Sequence, residues 1–211
     1  MIPPRDGRKS KGVNLVGLVK ALRAYRKGRP LPAMSPEAEA LLGDHILASE
    51  WYPLRTHLEI LEIAYRVLAG SRPENALQMG VTGGKAIWTS THRGVLEGRN
   101  AVRALESMPA VWRTYFNFGS LDVEVTDPTT VRFTVQDYPD VPVYHGMTIA
   151  GWHLAVALVS GATDATVEIV ERPWAGGTST QVHVLHLAAE PTPSHSERGN
   201  HERRDRRGPG R

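Results

Sequence analysis

Met147-Thr-Ile-Ala-Gly-Trp-His-Leu-Ala-Val-Ala-Leu-Val-Ser160 is apolar almost all the way round, with only Thr148, His153 and the terminal Ser160 carrying clearly polar side chains. A helix without a solvent face has to be buried on several sides. Two alternating segments precede it. Leu121, Val123 and Val125 alternate with Asp122 and Glu124; after the turn at Asp127-Pro128, Val131, Phe133 and Val135 alternate with Arg132 and Thr134. Two more follow: Val167 and Ile169 mark a third strand and Val182 to Leu187 a fourth, joined around Pro173-Trp-Ala-Gly-Gly177. Strands apolar on one face only belong to an antiparallel sheet with one wet side. The spacing therefore predicts an α+β fold, with N-terminal helices packed on a four-stranded antiparallel ββαββ sheet.

Upstream, Leu15, Leu18, Leu22 and Tyr25 recur at helical spacing. Ser35-Pro36-Glu37 reads as a helix start, a capping hydroxyl followed by a proline whose missing N–H costs nothing there. Leu41, Leu42, Ile46 and Leu47 are expected to form its buried face. Ser49 to Pro53 is expected to open the strongest helix, in which Leu54, Leu58, Leu61, Tyr65 and Leu68 follow 4-3-4-3 spacing. Arg55 with Glu59, and Glu62 with Arg66, are expected as i,i+4 pairs on its wet face. Another helix starts near Ser71 and Pro73 and meets Gly80, Gly83 and Gly84. Each glycine costs roughly 1 kcal/mol against alanine inside a helix. The expectation there is a break or a close backbone contact, and Gly151 is likewise expected where the central helix approaches another backbone. Two helical pieces fill 100–118, divided near Ser107-Met108-Pro109.

The 211 residues fit a single domain, expected over 13–188, between a flexible basic arm at 1–12 and a disordered Arg-rich tail at 189–211. The arm carries a net +3 and the region from 188 onward a net +2, which leaves about −2 on the body out of the total of +3. Basicity thus belongs to the ends, and nothing suggests a folded nucleic-acid surface. The chain has no cysteine, so disulfides and thiolate chemistry are excluded. The apolar run Val13 to Val19 is interrupted by Lys20 and lacks a small-residue cleavage site, which argues against export. No 18-residue apolar stretch exists, so no helical membrane span is expected, and the default location is cytoplasmic.

Reactive motifs are sparse. Gly80-Val-Thr-Gly-Gly-Lys85 lacks the leading glycine, the Ser or Thr after lysine and the preceding strand that a phosphate loop needs. Neither G-x-S-x-G nor H-E-x-x-H occurs. His183 and His186 point to opposite faces of one strand and make no simple chelating pair. His153, on the buried helix, reads as a core histidine bonded to a neighbour or as a ligand-contacting group. The aromatics Trp51, Tyr52, Trp112, Tyr115, Phe116 and Trp152 either pack as plain core or line an apolar pocket between helices and sheet.

Trp51-Tyr-Pro-Leu54, Pro109-x-x-Trp112-Arg113-x-Tyr115, and Gly146 with Gly151-Trp152 together resemble an uncharacterised protein family expanded in myxobacteria. That family is similar in plan to the four-vinyl-reductase domain, to haem nitric-oxide-binding domains and to the Bet3 subunits of transport-particle complexes. The resemblance covers roughly 12–188 and implies helices on a ββαββ sheet with a hydrophobic cavity between them. Four-vinyl-reductase relatives tend to carry cysteines around the last hairpin, whereas Glu171 to Leu187 contains none. Haem-binding relatives place a histidine on the helix before the first strand and use a Tyr-x-Ser-x-Arg motif; residues 100–119 hold no histidine and the motif is absent. On that comparison haem is not expected, and neither is metal or cysteine sensing.

The expected function is a non-enzymatic cytoplasmic sensor or binding domain for an apolar small molecule. Its pocket candidates are Trp112, Tyr115, Phe116, Trp152, His153 and Val156, with no catalytic residues, no metal and no cofactor. The alternative is an interaction or scaffold protein with a solid core, meeting a second copy or another protein. Nucleic acid is expected at most weakly, through the tail.

Overall fold

The computed structural model of the chain describes residues 7–97, 100–138, 140–176 and 179–187. Its core is the expected unit. Strands β3 (Ser120–Asp127) and β4 (Thr130–Gln136) form one hairpin, helix α8 (Val143–Val159) follows, and β5 (Thr166–Glu171) and β6 (Gln181–His186) form the other. The sheet is antiparallel throughout, in the order β3-β4-β6-β5, so the two inner strands come one from each hairpin. Leu121, Val131, Phe133, Val135, His183 and Leu185 share one buried face of the sheet. Gly119 supplies the left-handed backbone (φ 65°) that turns the chain into β3.

The helices upstream are α1 (Val13–Arg26), α2 (Pro36–Gly43), α3 (Leu54–Val67), α4 (Pro73–Ser90), α5 (Arg93–Leu96), α6 (Ala101–Glu106) and α7 (Met108–Tyr115). Ser35 caps α2 as expected, its hydroxyl accepting from the Ala38 N–H at 3.2 Å. Glu59 does not pair with Arg55; it accepts from the Ser35 N–H and hydroxyl, both at 2.6 Å, and so ties α3 to the start of α2. Arg55 instead reaches Glu37, while Arg66 and Glu62 make the expected pair at 2.9 Å. The buried face of α2 is smaller than expected. The helix ends at Gly43, Ile46 is buried beyond it, and Leu47 is 50% exposed.

Two boundaries differ from the sequence reading. Trp51–Pro53 is a short strand, β2, paired antiparallel with β1 (Lys9–Lys11), so α3 begins only at Leu54. For the same reason the expected flexible arm over 1–12 is too long: Ser10 is 0% exposed, and the Leu54 N–H donates to the Arg8 carbonyl. A three-residue pairing with a partner some forty residues away leaves no periodic signal in either segment. The expected tail lies outside the described residues. Among them, no helix is long and apolar enough to cross a membrane.

The glycine-rich stretch does not break. Helix α4 runs straight through Gly80, Gly83 and Gly84, and the close contact is with α8. A β-carbon at Gly80 would stand 2.2 Å from the Thr148 carbonyl oxygen, and one at Gly151 would stand 2.0 Å from the Leu77 carbonyl oxygen. Two backbones meet where neither helix carries a side chain.

Candidate functional site

Beside this contact the helices leave a cavity of about 840 Å³. Its walls come from one face of α1 (Asn14, Gly17, Ala21), from His57 and Leu61 of α3, from α4, from Trp112 and Tyr115 of α7, and from His145, Ile149 and Trp152 of α8. The volume falls in the range of about 300–1,000 Å³ usual for small-molecule pockets. The lining is mostly apolar, and among the described residues no Lys, Arg, Asp or Glu takes part in it.

Of the sequence candidates, Trp112, Tyr115, Phe116 and Trp152 line this cavity. His153 and Val156 do not. Both belong to the core, and His153 stacks on Phe133 with ring centroids 4.6 Å apart. His153 Nδ1 lies 2.7 Å from Nε2 of His183 on β6, a hydrogen bond between two fully buried imidazoles. Burial pushes His153 well below its ordinary value and His183 down to about 3, so both are neutral. This is the core histidine bonded to a neighbour.

Two buried histidines on the wall were not visible as a pair in the sequence. His57, on α3, and His145, on α8, are each 3% exposed, and their rings meet edge to face with centroids 5.3 Å apart. His145 Nδ1 sits 2.6 Å from the Tyr138 hydroxyl. His57 Nδ1 is buried without a hydrogen-bond partner among the described residues. Desolvation lowers His57 to about 4 and holds His145 well below its ordinary value, an effect the neighbouring His57 reinforces. At neutral pH both rings are uncharged. At another part of the wall the Tyr115 hydroxyl bonds His92 Nε2, beside Trp88 and Trp152. No arithmetic of spacing joins residues 57, 138 and 145; tertiary packing does.

Solved structures share this fold. One, described as "Probing the function of heme distortion in the H-NOX family", matches with a TM-score of 0.61 at 15% identity, over 86% of this chain and 97% of that one. The crystal structure of "an oxygen binding H-NOX domain related to soluble guanylate cyclases (oxygen complex)" matches with a TM-score of 0.59 at 15% identity, over 85% and 95%. A third, described as "Structural insights into the molecular mechanism of H-NOX activation", matches with a TM-score of 0.60 at 15% identity, over 85% and 97%. No curated protein matches the sequence.

These likenesses overturn the expectation of no cofactor and of no haem. That expectation rested on the missing histidine in residues 100–119 and on the absent Tyr-x-Ser-x-Arg motif, yet the fold brings His57 and His145 to the cavity from other elements. Absence from one segment therefore excludes nothing. Residues 37–184 match the family described as "Protein of unknown function (DUF2378)", to which this chain belongs.

Proposed function

We propose that this chain is a non-enzymatic, ligand-binding sensor domain whose ligand site is the cavity between α1, α3 and α4 on one side and α7 and α8 on the other, with haem as the ligand. The carrying observation is an apolar space of about 840 Å³ that holds neutral imidazoles on its wall, in a fold shared with H-NOX domains. A solid-core scaffold would offer no such space. Haem, if bound, would supply an iron able to take up a small molecule.

The residues present fit that group. Trp112, Tyr115, Phe116 and Trp152 offer flat apolar surface to a macrocycle. His57 and His145 are the groups that would hold it, since burial keeps both imidazoles neutral and the N–H of a neutral imidazole is the form that meets a carboxylate. One specific observation favours a second reading, a metal-free apolar ligand: among the described residues the lining carries no Lys or Arg to offset the acidic groups of haem.

Titrating the purified full chain with hemin tests the first reading. Saturable growth of a sharpened Soret band at one equivalent, with a raised melting temperature, is expected. A featureless spectrum with unchanged melting would contradict haem and leave the metal-free ligand.

A further inference from the structure

The paired imidazoles carry the site further, because their hydrogen-bond partners determine where each proton sits. Tyr138 is buried, and burial keeps its hydroxyl protonated; that hydroxyl has no second hydrogen-bond partner among the described residues. A phenol gives a proton to an imidazole lone pair more readily than an imidazole N–H gives one to a phenol oxygen. The Tyr138 O–H therefore donates to His145 Nδ1, and His145 keeps its single proton on Nε2. In His57 the sealed atom is again Nδ1. A buried lone pair left unpaired is tolerated better than a buried N–H, so the His57 proton belongs on Nε2 too. Both rings line the cavity, and with Nδ1 used or sealed, Nε2–H is what each ring has to offer a ligand.

We infer that His57 and His145 form the polar anchor of the cavity, a pair of N–H donors that takes the carboxyl group of a ligand with an otherwise apolar body. Two donors from two rings suit a group with two acceptor oxygens. The inference rests on the cavity being the ligand site, as proposed above, and it adds that the handle is an oxygen acceptor, not the iron. Haem presents that chemistry through its carboxylates; so does a long-chain fatty acid.

Binding of hemin, iron-free protoporphyrin IX and hexadecanoate to the full chain and to H57F, H145F and H145Q, followed by tryptophan fluorescence, tests this. If the carboxyl is the handle, hemin and protoporphyrin IX bind with affinities within about threefold of each other. H57F and H145F should then weaken both about ten- to hundredfold, the effect of losing a hydrogen bond to a charged group. H145Q, which keeps a side-chain N–H, should recover most of the loss. On the unsubstituted chain, hexadecanol should bind at least about tenfold more weakly than hexadecanoate, a comparison independent of whether any variant folds.

The inference is overturned if the phenylalanine variants weaken hemin alone and shift its Soret band, which would make the iron the handle, or if they bind every probe as the parent does. Failure of both porphyrins on the parent would sink the haem reading, and hexadecanoate would then decide the anchor. Histidine-dependent binding of the acid upholds it; histidine-independent binding, or none, removes it.

Discussion

His153 and His183 show how a single buried polar pair constrains the molecule. Each is 0% exposed, each stacks on Phe133, and the two share one hydrogen bond. With His57 and His145 they make four imidazoles held neutral by burial. The unfolded chain takes up protons at these positions as pH falls below the ordinary histidine value of 6.5, while the folded chain resists until about 4 at His57 and about 3 at His183. The unfolded state therefore binds more protons in that window, and stability falls with pH. The denaturation midpoint is expected to drop between pH 6.5 and 4.5, above the ordinary glutamate value of 4.5. A midpoint flat across that interval would show that the rings reach solvent. Sequence showed that His183 and His186 face opposite ways, and in the fold one is buried and the other exposed. It gave no sign that His153 lies opposite His183, because thirty residues separate them.

At the scale of elements, the contact of α4 with α8 is the hinge of the architecture. It fixes how far α8 stands from the helical layer and so sets one wall of the cavity. Gly151→Leu places a side chain where even a β-carbon would stand 2.0 Å from the Leu77 carbonyl oxygen, and overpacking of this kind should destabilise by about 1 to 3 kcal/mol in chemical denaturation. An unchanged midpoint would mean the helices part freely. Ser35→Ala removes both the cap of α2 and one of the two donors held by Glu59, and should cost about 1 to 2 kcal/mol. If stability were unaltered, the first turn of α2 would not depend on that hydroxyl. The hairpin-helix-hairpin order, the Ser35 cap and the proximity at Gly151 were legible because each is written in local periodicity or in one residue's chemistry. The β1-β2 pair and the Glu59 tie were not. They depend on partners in distant segments, and a local charge pattern pointed Glu59 toward Arg55 instead.

For the whole molecule the question is whether the apolar centre is solid or hollow, and composition alone left both open. Trp112, Tyr115, Phe116 and Trp152 would serve either, and the fold sets all four on the wall of one space. His57 and His145, on the wall of that space, and Tyr138 bonded behind His145 come from α3, α8 and the stretch between β4 and α8, so only the assembled chain brings them together. The space can be tested by filling it. Gly17 is an exposed residue on the wall of the space, with nothing within 4 Å of where a β-carbon would stand, so Gly17→Trp should block ligand uptake by more than about tenfold while the chain stays folded. Uptake equal to that of the parent would place the ligand elsewhere.

The most direct test is native mass spectrometry of the full chain, purified without added ligand from cells supplied with a haem precursor, beside its denatured mass and visible spectrum. A native mass above the 23.2 kDa of the polypeptide, lost on denaturation and accompanied by a Soret band, is the expected result. A bare polypeptide mass that added hemin and hexadecanoate both fail to increase would contradict a ligand-binding cavity.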